Sequence, residues 1–166
     1  RITRFCASKF DSKVPDGGAP GELEQKLAAD FAARLRTLTE LHEQMEFRKA
    51  AAELRAMWAA GNEYLQVAAP WTAFKTDPEQ AAVSVRTGIN LAVLYAILAQ
   101  PFVPDAAKAV LDAIGVPEAN RMWPLASDAG LLDALPRGMA ITPPDVLFKK
   151  IEDADVASWA ERFGGG

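Results

Sequence analysis

The side chains whose types and spacing could do chemistry lie in one run, Asn62-Glu63-Tyr64-Leu65-Gln66-Val67-Ala68-Ala69-Pro70-Trp71. Pro70 lacks an N–H and disfavours helical geometry at Ala69, so a helix passing through Leu65 must end before Trp71. The indole then stands just beyond a helix end, on stiff backbone. There it can fold back as an apolar plug, or face outward as a platform for a planar partner such as a nucleobase. On these residues alone the plug is favoured, because most tryptophans at helix ends are core. Within the run, Asn62 is expected to hydrogen-bond near the helix end, and Tyr64 to pack inward with its hydroxyl partnered. Cations gather at the other end of the chain: residues 1–13 carry Arg1, Arg4, Lys9 and Lys13 against Asp11 alone.

Other chemistries leave no trace. Neither a Gly-rich phosphate loop, a metal-ligand spacing nor a Ser/His/Asp set is present, so no catalytic or metal-binding residue is assigned. His42, the sole histidine, reads as a surface or cap residue near a helix end. Cys6, the sole cysteine, sits on an apolar face as a small buried hydrophobe; it can form no internal bridge, which suits a reducing compartment. Glu40, Glu43 and Glu46 read as a solvated face, and Trp58, Trp123 and Trp159 as packing residues.

The elements that must hold the indole follow from periodicity. Arg1 to Phe10 places Ile2, Phe5 and Cys6 at helical spacing beside a basic face, and residues 11–21 carry the breakers of a loop. Glu22 to about Glu43 is a long helix with Leu23, Leu27, Phe31, Leu35, Leu38, Leu41 and Met45 as its stripe and acids in its first turn. A second long helix, from about Phe47 to Val67, turns Phe47, Ala50 or Ala51, Leu54, Met57 or Trp58, Gly61, and Tyr64 or Leu65 inward; a tight turn near Glu46 makes the two an antiparallel hairpin. Asp77-Pro78 caps a helix that runs to about Gln100 and is apolar nearly all round from Ile89, as a bundle's central helix would be. Asp105 to Ile114 is shorter and stops at Gly115. From Val116 regular structure thins into a strap across the bundle, ending in a short helix to Phe163.

With 166 residues, half of them hydrophobic, the chain can build one sizeable core. Its net charge of −4 counts mildly against a nucleic-acid partner, but a domain that stacks on a few bases needs no strongly basic surface. No basic leader precedes an apolar run, and the most apolar stretch, Ile89 to Leu98, is short for a bilayer and interrupted by Asn90. The expected setting is cytoplasmic, without a membrane. The chain opens on Arg1 in an already helical pattern, as a piece of a longer polypeptide would.

The run Asn62-x-Tyr64-(x)5-Pro70-Trp71 resembles the anticodon-binding domain of class I methionyl-tRNA synthetases. Four further landmarks resemble that family in order: Arg4 to Pro15 as a helix entering a Lys-Val-Pro loop, Glu46-Phe47-Arg48-Lys49-Ala50, Ile97 to Pro104 with its Pro-Phe-x-Pro break, and Leu147-Phe148-Lys149-Lys150-Ile151-Glu152. The resemblance covers nearly the whole chain. It implies an all-α helical bundle over residues 1–115 and an irregular extension, 116–166, that packs on the bundle and towards an absent catalytic domain.

It further implies that Trp71, seated by Pro70 and supported by Asn62, stacks on an anticodon base of tRNA. Arg1 would be the second member of the family's Asn-x-x-x-Arg reading pair, and Arg4 a neighbouring cation. The family's His-x-Gly-His and Lys-Met-Ser-Lys-Ser motifs are absent from this chain, so ATP and magnesium would serve the parent enzyme alone. Two other readings compete: a helical protein–protein docking module, and the equivalent domain of another class I synthetase.

Overall fold

A computed structural model describes residues 1–126 and 130–164. Among the described residues the secondary structure is helical, with one isolated antiparallel bridge joining Lys13 to Ala140. The helices are α1 (Ile2–Lys9), α2 (Glu22–Glu43), α3 (Phe47–Ala68), α4 (Pro70–Ala73), α5 (Pro78–Ala99), α6 (Pro104–Ile114) and α7 (Asp153–Phe163), with a 3-10 turn at Glu118–Asn120. The all-α expectation holds.

Helix α5 is the axle. Asp77 caps it by accepting from the Gln80 N–H at 3.0 Å, and Pro78 takes the first helical position. It touches α1, α3, α4 and α6, and nearly every side chain from Ala81 to Ala99 is buried. The helix exceeds the Ile89–Leu98 stretch and is long and apolar enough to cross a membrane; yet its most apolar window is 89% buried inside the protein itself. On one side lie α2 and α3, an antiparallel hairpin contributing Phe31, Leu35, Leu38, Ala50, Leu54, Met57 and Tyr64 to the core. Gly61 lets α3 close on α5, because a Cβ there would collide with the Tyr95 ring, whose hydroxyl donates to the Met57 carbonyl at 2.9 Å. On the other side α1 and α6 bury Ile2, Cys6, Ala107, Leu111 and Ile114.

Beyond α6, Val116, Leu135 and Ile141 are buried in this second cluster, while Leu131 and Leu132 are buried in the first. Two polar side chains of α5 hold them. Asn90 Oδ1 accepts from the Leu135 N–H at 3.0 Å, and its amide donates to the Arg86 carbonyl at 2.9 Å. Arg86, only 1% exposed, pairs with Asp133 at 2.7 Å and donates to the Gly18 carbonyl at 2.7 Å. Loop and strap are thereby tied to the same helix.

Several sequence expectations are corrected. Met45 takes a left-handed backbone (φ 58°) at the hairpin turn, which resets the helical phase, so Met45 and Phe47 point to solvent. His42 is the reverse case. It packs against Phe47, Phe102 and Trp123, its Nδ1 bonds the Leu38 carbonyl at 2.9 Å, and its Nε2 is buried without a hydrogen-bond partner among the described residues. Pro104 begins α6, one residue before the expected Asp105. Trp159 is 48% exposed on α7, a helix with no buried residue, and joins neither core cluster. Trp123 and Trp58 do pack, Trp123 donating its indole N–H to Thr39 at 2.9 Å.

Candidate nucleic-acid interface

The last turns of α3 are set from below. Tyr64 is buried and donates its hydroxyl to Glu24 Oε1 at 2.7 Å, while Glu24 Oε2 accepts from the Gly21 N–H at 3.0 Å and so caps α2. Gln80, in the first turn of α5, reaches the same carboxylate at 3.4 Å. Burial first, and the Glu24 carboxylate second, push the Tyr64 hydroxyl well above the usual phenol range, so it stays a donor. The carboxylate is itself 3% exposed, with those donors and the α2 N-terminus as its counterweight.

Beyond Tyr64 the chain must turn. Its N–H bonded to the Leu65 carbonyl at 3.1 Å, Ala69 adopts a left-handed conformation (φ 38°, ψ 58°). This is costly for a residue with a Cβ, and the right-handed alternative that would continue α3 is disfavoured before Pro70. Pro70 is buried and starts a new one-turn helix, α4. Trp71 is therefore on the first turn of a fresh helix, not on irregular chain, and its ring is half-buried. It is neither sealed in the core nor fully in solvent.

The uncovered side of the ring meets α1. The Arg1 guanidinium lies 4.1 Å from the centroid of the Trp71 ring, a cation–π contact between two residues far apart in sequence. Arg1 forms no ion pair or side-chain hydrogen bond among the described residues, so its planar fork of donors is unspent. Arg4 is exposed on the same helix. Below them Phe74 packs on Phe5 and Phe10, and Lys9 Nζ stands 5.8 Å from the Phe74 ring. Trp71, Arg1 and Pro70 are thus brought together. Asn62 is not: it is exposed and makes no side-chain hydrogen bond among the described residues, against the expectation that it supports the helix end.

Sequence reading missed Glu24, whose signal was a glutamate at the third helical position of α2, and the Phe5–Phe10–Phe74 cluster, which leaves none. Cys6 is buried as expected, its thiol donating to the Lys13 carbonyl at 3.1 Å. Among the described residues no three His, Cys, Asp or Glu side chains are placed to hold a metal ion.

Comparison with known proteins bears on this arrangement. A family described as the anticodon binding domain of methionyl tRNA ligase matches residues 14–166. The methionine–tRNA ligase of Hyphomonas neptunium is 58% identical over all of this chain and 29% of its own length; that of Maricaulis maris is 60% identical over 99% and 29%. The chain therefore spans under a third of these relatives. In fold it is similar to the free methionyl-tRNA synthetase of Mycobacterium tuberculosis, with TM-score 0.79 and 21% identity over 92% of this chain and 30% of that one. A structure of the same synthetase bound by methionyl-adenylate superposes with TM-score 0.78 at 21% identity, covering 90% and 29%. The match over residues 14–166 and the identities above one half place this chain in the family of methionyl-tRNA ligase anticodon-binding domains.

Proposed function

We propose that this chain reads the anticodon of a methionine tRNA as part of a longer methionine–tRNA ligase. The observation that carries the reading is the Arg1 guanidinium over the half-buried Trp71 ring, with the rest of its donors unspent. The ring offers a π-face of the kind that stacks on any base, and the fork offers donors to a base edge. A base entering over the ring displaces the guanidinium outward, where it meets that base or its neighbour edge-on. Arg4, exposed one turn along, faces phosphate in this reading. Net acidity is no obstacle, since stacking and edge contacts dominate.

The parent enzyme joins methionine to its tRNA through an adenylate, taking ATP and magnesium in a catalytic domain outside this chain; the setting is cytoplasmic translation. Residues 1–115 form the recognition unit, and 116–166 the extension. Its last part, with Leu147, Phe148, Val156, Trp159 and Phe163 exposed, docks on that catalytic domain. The competing docking-module reading is absorbed here as the task of one face.

The test is Trp71→Ala in the intact ligase. Loss of one base stack raises KM for tRNA about tenfold to a hundredfold, with tRNA-independent adenylate formation and helicity unchanged. An unchanged KM in a variant that melts earlier makes the indole a plug and sinks the reading.

A further inference from the structure

Trp71 and Arg1 come from opposite parts of the chain, so their meeting depends on what fixes α1 against α4. Helix α4 has four residues and cannot hold an orientation alone. Phe74, directly after it, packs edge-on against two rings of the α1 segment: Phe5 at 6.1 Å and 89°, and Phe10 at 5.4 Å and 81°. Phe5 and Phe10 meet each other at 6.4 Å and 64°. In each pair the positive edge of one ring meets the negative face of another, a preference that is directional as well as apolar. Three mutually edge-on rings are satisfied over a narrow range of placements.

The other end of α1 is pinned separately. A Cβ at Gly88 of α5 would stand 2.8 Å from Ile2 Cγ1 and 3.1 Å from Leu65 Cδ2, so Ile2 sits in a notch that only glycine leaves open. Pinned by Ile2 at its start and by the ring cluster at its end, α1 can neither roll nor slide, and Arg1 is carried to the ring.

We propose that Phe74 is a positioning residue for anticodon reading, acting through Trp71 and Arg1 by welding α4 to α1. This rests on the anticodon reading above and adds the part of the molecule that keeps platform and cation in register between encounters. Small misplacements of binding groups are costly, so loss of the weld reads out in recognition before it reads out in fold.

The experiment is a double-mutant cycle in the intact ligase, with KM for tRNA, kcat and tRNA-independent adenylate formation measured for Phe74→Ala, Trp71→Ala and the pair. Phe74→Ala is expected to raise KM for tRNA about twofold to tenfold, leaving kcat and adenylate formation unchanged. Phe74→Tyr, which keeps the ring, restores wild-type KM. In the Trp71→Ala background, Phe74→Ala costs less than it does in the wild type, because only the placement of Arg1 is left to lose. Additive losses overturn the proposal, because Phe74 then acts on RNA directly or through other contacts. Should Phe74→Ala melt the domain, Phe74→Leu keeps the apolar bulk without the ring edges, and a wild-type KM there overturns it equally. If Trp71→Ala alone leaves KM unmoved, the anticodon reading itself has failed, an outcome distinct from additivity.

Discussion

Two arginines of this domain show what burial does to the same side chain. Arg86 lies within the core helix at 1% exposure, paired with Asp133 at 2.7 Å and with Asp16 at 3.7 Å, its remaining donors turned to the carbonyls of Pro15 and Gly18. Arg137 completes the cluster, bridging Asp16 at 2.9 Å and Asp133 at 3.1 Å. The Arg86 guanidinium is thus engaged inside the protein by two carboxylates and two carbonyls. Arg1 is exposed and rests on an indole face, a contact that uses its charge and plane but none of its donors. A guanidinium with its donors spent internally fixes architecture; one with its donors free can address a ligand.

The difference can be broken at either end. Arg86→Leu removes the buried cation and leaves Asp133, 26% exposed, with Arg137 as its remaining ion-pair partner. It should cost about 1–3 kcal/mol of unfolding free energy, measured by denaturant titration, and should free the loop around Gly18 and the strap around Asp133 together. A loss within ordinary surface scatter would mean that the strap is held by Asn90 and apolar contacts alone. Arg1→Ala should do the opposite. Unfolding free energy stays put, while tRNA affinity in the intact ligase falls about fivefold to a hundredfold, with the fall largest for the cognate anticodon. A uniform loss across anticodons would make Arg1 a phosphate contact instead.

Much of the scaffold was legible because periodicity and caps are local signals. Helix α2 runs over Glu22–Glu43 as its stripe requires, and Asp77-Pro78 opens α5 as a cap followed by proline requires. Pro70 marked the break that seats Trp71. What escaped depended on phase or on distant partners. Phe47 and His42 exchanged roles because a left-handed Met45 sets how α3 is rotated relative to α2, and no apolar stripe encodes that angle. Arg86 carries no sequence signal of its partner, because Asp133 lies on a strap with no periodicity of its own. A family pattern led to the expectation that Arg1 would meet Trp71, whereas periodicity and spacing are silent on it. The contact depends on the Gly88 notch and on three rings from two separate segments, and none of these leaves a local signal. Trp159 has the residue type of a packing group, yet it stands about half exposed, outside both core clusters.

Cys6 shares α1 with Arg1 yet belongs, by environment, with Arg86. It is fully buried, and burial pushes its thiol up from the ordinary 9.0 to about 11. The folded state therefore holds the thiol proton to higher pH than the unfolded chain does. Below pH 9 neither state has lost it and stability is flat. Between about pH 9 and about pH 11 the unfolded chain ionises first, and stability declines as pH rises. Tyr64 and Tyr95 are shifted upward by burial too, so their contribution joins from the usual phenol value of about 10 onward. Unfolding free energies at closely spaced pH values should show two onsets, and Cys6→Ala should erase the earlier one while keeping the later. Over this interval the folded thiol keeps its proton and its donation to the Lys13 carbonyl, so the helix that carries Arg1 stays in place while global stability falls. Anticodon discrimination by the intact ligase should therefore hold across the same interval in the wild type and in Cys6→Ala alike. A discrimination that falls in the wild type and holds in Cys6→Ala would mean that the folded thiol ionises early and that the buried and presented faces of α1 communicate.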